Sequence, residues 1–525
     1  MDTKALRQKI LDLAIRGKLV PQDPNDEPAE VLLERIREQK QQMLKEGKLK
    51  KKDIKNDTII FKGEDNLHYE KFQDGTIKCI EDEIPFEVPE GWAWCKLNDI
   101  YNFIDYRGAT PTKITNGIPL VTAKNVKSGY IDYTIDDYIS EEEFKERQQR
   151  GISKKGDILF TTEAPLGNAA LADMEKFSAG QRLITFQQYG SKNELINYVM
   201  LMFILSDFFQ QQLYVNKTGS TVAGIKAAIL KTLWIPVPPY NEQLRISNTL
   251  KSAINLIDSI SKNKEILSTS ISNTKSKILD LAIRGKLVPQ DPNDEPASVL
   301  LERISAEKEE LIKQGKIKRD QKESVIFKGD DNSYYLRTGR VEESLEDWRF
   351  DDLPETWKIC CLGELCDYGD CINVNTEDIA EDAWILDLED IEKDTGTVLK
   401  KVTKDQRNSV STKHKFHSGQ VLYSKLRPYL NKVVLSDADG YCTSEILPLE
   451  FKNCVLPEYA RYYLMSGTFI AYANHCSYGV KMPRLGTTDG KKAIFSLPPL
   501  SEQKRIVETI DFCFVQLNKI SEALA

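Results

Sequence analysis

The sequence lacks the marks of a membrane or secreted protein. No apolar run in its 525 residues approaches the roughly 18 residues that cross a bilayer. The first ten residues, MDTKALRQKI, have no apolar core of the kind that a signal peptide needs. Eight of the ten cysteines lie in the second half, and without a secretory signal we expect reduced thiols. These features predict a cytoplasmic chain.

Signatures of catalysis are also missing. No Gly-x-Gly-x-x-Gly follows a strand-like run, and no Gly-x-x-x-x-Gly-Lys-Ser/Thr occurs, so nucleotide and cofactor motifs are absent. Residues 237–240, VPPY, resemble the Asn/Asp-Pro-Pro-Tyr motif of amino methyltransferases, but valine cannot hold the target amino group. A proline turn at the start of a helix is the better interpretation. We predict no catalytic residue and no bound cofactor in this chain.

Metal ligands are scarce, with four histidines in the whole sequence. The cysteines at 360, 361, 366 and 371 have no nearby histidine, which favours buried thiols over zinc. His414 and His417 lie in the lysine-rich turn STKHKFH, where we expect them to be solvated or to face phosphate. No metal site is predicted.

The charge balance excludes one mode of nucleic-acid binding. The formal net charge is −8, whereas a protein that depends on non-specific affinity for nucleic acid is usually basic. DNA binding would therefore need local basic patches or a basic partner.

A near-identical repeat organises the chain. KILDLAIRGKLVPQDPNDEPAEVLLERI at 9–36 returns at 277–304, with Glu30 replaced by Ser298 as the only change. The offset of 268 residues (277 − 9) is far longer than the roughly 20–50 residues of a solenoid unit. The chain thus contains two large copies of one design. Because cores tolerate hydrophobic swaps, near-identity suggests that both copies present the same surface to the same kind of partner.

Helical segments flank the loop of each repeat. Apolar spacing predicts a helix over Thr3–Arg16, stopped by Gly17, and a second helix over about 29–46 that ends at Gly47. Basic runs follow each second helix, for example Lys50-Lys51-Lys52 in the first copy. We interpret these runs as solvated linkers, with phosphate contact as the alternative.

A heptad pattern predicts one long helix in the middle of the chain. Apolar residues recur at steps of four and three from Glu242 to Ile283, which would extend roughly 60 Å. Shifting the pattern by 260 places residues 501–525 on the same seam, and shifting it by 268 places residues 1–16 there. The predicted seam residues are Ile246, Leu250, Ile257, Ile260, Leu267, Ile271, Ile278, Leu281, Ile506, Ile510, Leu517, Ile520, Leu6, Ile10 and Leu13.

The two terminal segments therefore form the second strand of the coiled coil. Residues 501–525 mirror 241–265 and residues 1–16 mirror 269–284, with only the equivalents of 266–268 missing. This circular arrangement predicts an antiparallel pair of long helices with an internal pseudo-two-fold. It also predicts that the chain ends meet, with Met1 and Ala525 within roughly 20 Å.

Between the repeats lie two diverged segments of short β-like runs and turns, such as GDILFTT (156–162) and GQVLYSK (419–425). The predicted class is α+β, with two mixed, β-rich globular domains joined by the helix pair. The predicted segments are 1–16 (second half of the distal helix), 17–83 (repeat loop, helix and basic linker), 84–240 (first diverged domain), 241–284 (central helix), 285–350 (second copy of the loop, helix and linker), 351–500 (second diverged domain) and 501–525 (first half of the distal helix).

These features together resemble the specificity (S) subunit of type I restriction-modification systems. The motifs that carry the resemblance are ILDLAIRGKLVPQDPNDEPA in both copies and the proline turns before Glu242-Gln243 and Glu502-Gln503. GATPTKITNGIPLV (108–121) is similar to the opening of a target recognition domain, and KLRPYLNK (425–432) with CTSEILPL (442–449) is similar to another type of that domain. The resemblance covers essentially the whole chain.

The resemblance implies that 84–240 and 351–500 are target recognition domains, each reading half of a bipartite, asymmetric site in double-stranded DNA from the major groove. The helices and their flanks would dock two modification subunits, which methylate adenine N6 with S-adenosylmethionine. Restriction subunits that use ATP and Mg would join them. The cofactors are thus expected on partner subunits.

Residue type and loop position suggest the DNA contacts. Arginine and lysine can address guanine, asparagine can address adenine, and hydroxyls can address bases or phosphates. The candidates in the first domain are Arg107, Thr110, Lys113, Lys124, Asn125, Arg182, Lys217, Ser220, Thr221 and Lys226. Those in the second domain are Lys413, Lys415, Lys425, Arg427, Tyr429, Ser444, Glu445, Lys481 and Arg484. Tyr106 and Tyr429 are expected to be packed rather than stacked on bases.

Two other functions are compatible with parts of the sequence. A coiled-coil scaffold with two protein-binding domains would explain the helices and the acidic charge, but not the turn and lysine chemistry of both loop regions. A fused methyltransferase and reader would require the chain alone to bind S-adenosylmethionine.

Overall fold

A computed structural model describes residues 2–55, 57–106, 110–189, 194–219, 223–316, 324–331, 333–345, 353–407 and 410–524. The chain divides into two compact units, Met1–Asn263 and Lys264–Ala525, with the division inside the long central helix. In the described ranges no helix is long and apolar enough to cross a membrane.

The first unit contains both repeat helices and a β-rich domain. Its helices are α1 (Thr3–Ile15), α2 (Ala29–Lys45), α3 (Lys51–Ile54), α4 (Leu97–Ile100), α5 (Glu141–Arg147), α6 (Asn197–Ile204), α7 (Asp207–Val215), α8 (Ala227–Leu230) and the first part of α9 (Tyr240–Ala282). Its strands are β1 (Ile59–Lys62), β2 (His68–Lys71), β3 (Ile77–Cys79), β4 (Ala93–Lys96), β5 (Tyr101–Asp105), β6 (Ile118–Val121), β7 (Tyr138–Ile139), β8 (Ile158–Thr162), β9 (Leu166–Leu171), β10 (Ser178–Ala179), β11 (Leu183–Gln188) and β12 (Trp234–Val237). The sheet orders are β1-β2-β3, β10-β6-β7, β5-β11-β8-β9 and β12-β4.

The second unit follows the same plan with a different β-rich domain. Its helices are the rest of α9, α10 (Ala297–Lys313), α11 (Leu362–Leu365), α12 (Pro457–Leu464), α13 (Gly467–His475), α14 (Thr487–Lys492) and α15 (Leu500–Leu524). Its strands are β13 (Ser324–Lys328), β14 (Tyr334–Thr338), β15 (Val341–Ser344), β16 (Lys358–Cys361), β17 (Ile372–Val374), β18 (Trp384–Leu386), β19 (Val402–Thr403), β20 (Lys413–Phe416), β21 (Val421–Ser424), β22 (Val433–Leu435), β23 (Gly440–Thr443), β24 (Ile446–Leu449) and β25 (Ile494–Leu497). The sheet orders are β13-β14-β15, β16-β25, β17-β20-β23-β18-β19 and β22-β21-β24.

The predicted mixture of helices with β-rich domains is confirmed. Helices α1, α2 and α9 begin and end within about two residues of the predicted bounds, which is the usual uncertainty of helix ends. The two runs predicted as strands from alternating apolar residues correspond to β8 and β21.

Much of the near-identical repeat is buried inside its own unit, which limits the shared surface inferred from the sequence. In the first unit the buried hydrophobic residues of the repeat are Leu11, Ala14, Ile15, Ala29, Leu32 and Ile36, all within one core cluster. Their counterparts Leu279, Ala282, Ile283, Ala297 and Leu300 are buried in the core of the second unit. Only the exposed part of the repeat is therefore available to a partner.

A buried carboxylate joins three distant segments in each unit. Glu242, at the start of α9, accepts hydrogen bonds from the Trp92 indole Nε1 (2.9 Å) and from Gln22 Nε2 (2.8 Å). Glu502, at the start of α15, accepts the same bonds from Trp357 Nε1 (2.9 Å) and Gln290 Nε2 (2.5 Å). Burial raises the pKa of both Glu242 and Glu502. These donors compensate part of the desolvation that burial imposes.

The repeat loop is fitted closely to the proline turn that precedes each tryptophan. Gly17 has φ +64°, and a Cβ atom on it would lie 2.3 Å from Cγ of Pro89. Gly285 has φ +63°, and its Cβ would lie 2.5 Å from Cγ of Pro354. A side chain at either glycine would meet both a left-handed backbone and a steric clash. Each copy of the repeat is thus matched by a proline outside it, Pro89 in the first unit and Pro354 in the second.

Antiparallel helix contacts occur within each unit. In the first, Arg7 of α1 forms an ion pair with Asp258 of α9, while Gln22 reaches Glu242 nearer the start of α9. In the second, Lys275 Nζ of α9 donates to Asn518 Oδ1 of α15 (2.6 Å).

Four seam residues, Ile246, Leu250, Ile506 and Ile510, lie in the core clusters of the two units, whereas some other seam positions are exposed. Leu267 is 40% exposed and Ile520 is 45% exposed, so the prediction of a closed seam is wrong at these two positions. Leu267 lies in the interval 266–268 for which the second strand has no equivalent residues. The predicted meeting of Met1 and Ala525 lies outside the described residues. The buried seam residues are Ile246, Leu250, Ile257, Ile271, Ile506 and Ile510, and the half-buried ones are Leu6, Ile10, Leu13, Ile260, Ile278, Leu281 and Leu517.

Replacing either anchoring tryptophan should destabilise the chain. Trp92→Phe and Trp357→Phe each keep most of the ring but remove the donor to a buried carboxylate, which should lower the free energy of unfolding by about 1–3 kcal/mol. Urea unfolding would measure the change. Trp94→Phe is the matched control, because Trp94 is equally buried but donates to a neutral acceptor, the Phe86 carbonyl (3.2 Å). Equal losses in Trp92→Phe and Trp94→Phe would contradict the anchoring role.

Candidate nucleic-acid interface

Three turns of the second unit meet at one place, and we call them the second loop cluster (residues 425–431, 444–445 and 478–484). Lys425 N donates to Glu445 O (3.0 Å), Leu485 N donates to Lys425 O (3.0 Å), and Arg427 N donates to Pro483 O (2.7 Å). The turns follow β21, β23 and α13. The cluster brings together seven predicted DNA contacts, namely Lys425, Arg427, Tyr429, Ser444, Glu445, Lys481 and Arg484.

An ion pair between Arg484 and Glu445 connects two of the turns of the cluster. The Arg484 guanidinium donates through Nε (3.0 and 3.1 Å) and Nη2 (2.7 Å) to the Glu445 carboxylate. Its Nη1 donates to the Met482 carbonyl (3.1 Å). The hydrogen bond to Glu445 raises the pKa of Arg484. Because Arg484 and Glu445 bond to each other inside the cluster, they hold the loops in position and leave few donors for a base.

The remaining cations of the cluster are accessible. Lys481 is exposed, and Lys425 and Arg427 are half-buried. Arg427 has φ +51° and precedes Pro428, a backbone conformation that is rare for a residue with a side chain. Such outliers occur preferentially at functional sites. Tyr429 is 49% exposed, so the expectation that it is packed is wrong.

Lys413 and His414 on β20 are buried, which corrects the prediction that both are exposed. Lys413 is 2% exposed, and its ammonium donates to Ser411 Oγ (2.9 Å), so it is not available to DNA. His414 is also buried and its Nδ1 lies 2.8 Å from the Ile446 carbonyl, so it is not solvated as expected. Burial lowers the pKa of His414. Lys415, on the same strand, is exposed.

The first unit builds a comparable site, the first loop cluster (residues 110–113, 162–165, 181–182, 217–219 and 223–226). Arg182 Nε lies 3.1 Å from Glu163 Oε1, and Thr110 Oγ1 donates to Gln181 Oε1 (2.9 Å). Ile225 N donates to Thr162 O (3.0 Å), which brings the segment before α8 to the end of β8. The exposed predicted contacts here are Thr110, Lys113, Arg182, Lys217 and Lys226.

The two clusters share a backbone plan despite their different sequences. Isolated bridges join Thr218 and Glu163 to Gly224 in the first unit. Bridges join Tyr478 and Leu426 to Arg484 in the second. Ala164, with φ +47°, precedes Pro165 just as Arg427 precedes Pro428. Sequence reasoning missed Glu163 and Gln181. In both domains an X-Pro pair follows a buried strand. This pair could have pointed to the neighbouring Glu163.

Asn125 has a structural role, which corrects its prediction as a DNA contact. It is 2% exposed. Its Oδ1 accepts from Thr122 N (2.9 Å) and Thr122 Oγ1 (2.7 Å), and its Nδ2 donates to the carbonyls of Asp132 (3.0 Å) and Ile135 (2.9 Å). All four hydrogen-bonding positions of the amide are therefore occupied.

Lys113 is paired with a carboxylate, and the other predicted residues of the first domain lie apart from the cluster or outside the described ranges. Lys113 donates to Asp137 Oδ2 (2.7 Å), and Lys124 is exposed on the turn after β6. Tyr106 is buried and donates to the Gly151 carbonyl, as expected for a packed aromatic residue. Arg107, Ser220 and Thr221 are outside the described residues.

The cysteine cluster lies in the core of the second unit. Cys360, Cys361 and Cys366 are buried and Cys371 is half-buried, all as free thiols. Burial raises the pKa of Cys360 and Cys366, which keeps them protonated and poorly nucleophilic. Among the described residues no group of three or more His, Cys, Asp or Glu side chains could hold a metal ion.

Comparison with known proteins agrees with this arrangement of two recognition domains. The family model for the type I restriction modification DNA specificity domain matches residues 89–268 and 354–523. The chain belongs to this family and is a specificity subunit of a type I restriction-modification system, whose role is recognition of a DNA sequence.

Two specificity subunits are similar to this chain over nearly their full length. The Type I restriction enzyme EcoAI specificity subunit of Escherichia coli is 28% identical, with 98% of this chain and 90% of the relative covered. The EcoEI specificity subunit of Escherichia coli is 27% identical, with 99% and 90% covered. A solved chain from work on complex assembly of the type I R-M system aligns with a TM-score of 0.52 at 16% identity, covering 84% of this chain and 94% of that chain, which shows the shared fold.

The Arg484–Glu445 pair should act on DNA affinity as one unit. We expect Arg484→Ala and Glu445→Ala each to weaken specific binding about tenfold, and the double variant to bind little worse than either, because both changes release the same loop. Fluorescence anisotropy with the co-expressed methyltransferase complex would measure this. Lys415→Ala is the control: combined with Glu445→Ala, its effect should be additive. Additive losses for Arg484 and Glu445 would contradict the coupling.

Proposed function

We propose that this chain is the non-catalytic reader of a bipartite, asymmetric site in double-stranded DNA, with one half-site read by each loop cluster. The observation that carries the proposal is the pair of clusters. Their backbone plans agree, but the Arg182–Glu163 pair of the first is replaced by Arg484–Glu445 from different positions in the second. Equivalent frames with different side chains are what two different half-sites require.

The proposed contacts are the accessible members of the two clusters, of the turn after β6 and of β20. Cationic and hydroxyl side chains there can contact phosphates or base edges without a net basic chain. The proposed set comprises Thr110, Lys113, Lys124, Arg182, Lys217, Lys226, Lys415, Lys425, Arg427, Tyr429, Ser444 and Lys481, with Arg107, Ser220 and Thr221 retained from the sequence.

The long helices are proposed to form one antiparallel coiled coil with an internal pseudo-two-fold. Antiparallel contacts within each unit support this, since the Gln22–Glu242 bond recurs as Gln290–Glu502 at the start of α15. The offsets are 290 − 22 = 268 and 502 − 242 = 260, which match the two offsets of the sequence repeat. Such a pair would hold two readers at a fixed spacing on the duplex.

The exposed part of the repeat is the proposed docking surface for two adenine-N6 methyltransferase subunits. Its exposed residues in both copies are Lys9, Lys18, Pro21, Gln22, Asp23, Pro24, Asn25, Glu27, Pro28 and Glu34, with their equivalents at +268. Identical exposed residues suit two copies of one partner. S-adenosylmethionine would be bound by those subunits, and ATP and Mg by restriction subunits that join them.

Exchange of one reader should change half of the target. Replacing residues 84–240 with another recognition domain that keeps a proline and a tryptophan at positions 89 and 92 preserves the contacts to Gly17 and Glu242. Mapping N6-methyladenine across a genome that expresses the hybrid with its methyltransferase should show one new half-site and one unchanged. A change in both halves would contradict independent reading.

Charge reversal in the repeat should remove methyltransferase subunits one at a time. Glu34 and Glu302 are exposed in both copies, so Glu34→Lys or Glu302→Lys should leave a complex with one methyltransferase, and the double variant should bind none. Native mass spectrometry would give the stoichiometry. Glu377→Lys, an exposed change in the second reader, is the control. Full stoichiometry in the double variant would exclude this surface.

A further inference from the structure

The loop at 478–484 presents apolar side chains to solvent at the candidate DNA interface. Tyr478 is 62% exposed, Val480 is 101% exposed and Met482 is 44% exposed. Lys481 lies between the two aliphatic residues and is also exposed. Apolar tips of this kind on a polar, cationic surface commonly mark an interaction site.

The tip is held in place before any ligand binds. Tyr478 N donates to Arg484 O (3.1 Å), and Arg484 N donates to Tyr478 O (3.0 Å), which closes a narrow hairpin. Gly479 has φ +97°, as the turn requires. Arg427 N also donates to the Pro483 carbonyl (2.7 Å), and the Arg484–Glu445 pair fixes the base of the hairpin. Binding would therefore bury Val480 and Met482 at little cost in backbone entropy.

The chemistry of the tip favours a methyl group on a base. In the major groove the apolar feature that distinguishes one base from the others is the thymine 5-methyl group, which side chains read by van der Waals contact. Lys481 is placed to meet an adjacent phosphate while its neighbours contact the base.

The contrast with the first unit favours DNA over a protein as the occupant. The corresponding loop at 218–224 has the sequence TGSTVAG, whereas 478–484 is YGVKMPR. A protein partner shared by both units would select the same tip twice, as in the repeat. Two different half-sites would select two different tips.

We propose that Val480 and Met482 read the 5-methyl group of a thymine in the half-site of the second unit. This inference rests on the proposed function, because it assigns a specificity contact within that DNA-reading site. It adds residues that are neither charged nor polar to the recognition set.

The test is a set of binding measurements on the complex with its methyltransferase. Duplexes carry the recognised sequence with each thymine of that half-site replaced singly by uracil, which removes only the methyl group. At one position the wild-type affinity should fall about fourfold, the value of one buried methyl. In the variant Val480→Ser/Met482→Ser, thymine and uracil at that position should be bound equally. Val341→Ser is the matched control, because Val341 is 59% exposed on β15, away from the loop cluster.

The outcomes separate this inference from the function on which it rests. Sequence-specific binding with no uracil effect at any position would overturn the thymine contact and leave the reader role intact. An equal loss by the double variant on thymine and uracil duplexes would also overturn it, because the tip would then act without reading the methyl. Failure of the wild-type complex to prefer any sequence would overturn both.

Discussion

Each unit depends on a buried carboxylate that receives an indole N–H. Glu242 and Glu502 begin long helices, Trp92 and Trp357 begin recognition domains, and Gln22 and Gln290 lie in the repeat loops. A carboxylate taken out of water is costly unless donors surround it, so the three segments must come together for any of them to be stable. The glycine–proline contact beside each carboxylate imposes the same requirement sterically.

This anchoring leaves the rest of each recognition domain free to vary. The two ends of each domain pair with each other, β4 with β12 in the first unit and β16 with β25 in the second. Between those ends the sheets differ in strand order, yet both domains form a loop cluster with equivalent backbone bridges. The two domains thus differ between their ends, in the part that we propose meets the DNA.

The sequence predicted secondary structure better than it predicted the burial and hydrogen-bond partners of individual side chains. Helices α1, α2 and α9 followed from local apolar spacing, which is a property of the segment itself. The burial of Asn125 and Lys413 depends on partners such as the Asp132 carbonyl and Ser411, which only the folded turn brings near. The Arg484–Glu445 pair joins residues 39 apart in the chain, so both were chosen as contacts for their charge. Val480, which we propose as a contact, was not predicted because residue type alone favours polar contacts to DNA.

Because the repeat fills equivalent core positions in both units, a segment of one half could replace the corresponding segment of the other. Leu11, Ala14 and Ile15 fill the same positions in one core that Leu279, Ala282 and Ile283 fill in the other. A genetic crossover between the two repeat segments, or between the repeats of two related genes, would therefore join a new reader to a core that already fits it. Such exchange would create new sequence specificities in a single step, without an intermediate that must first regain stability.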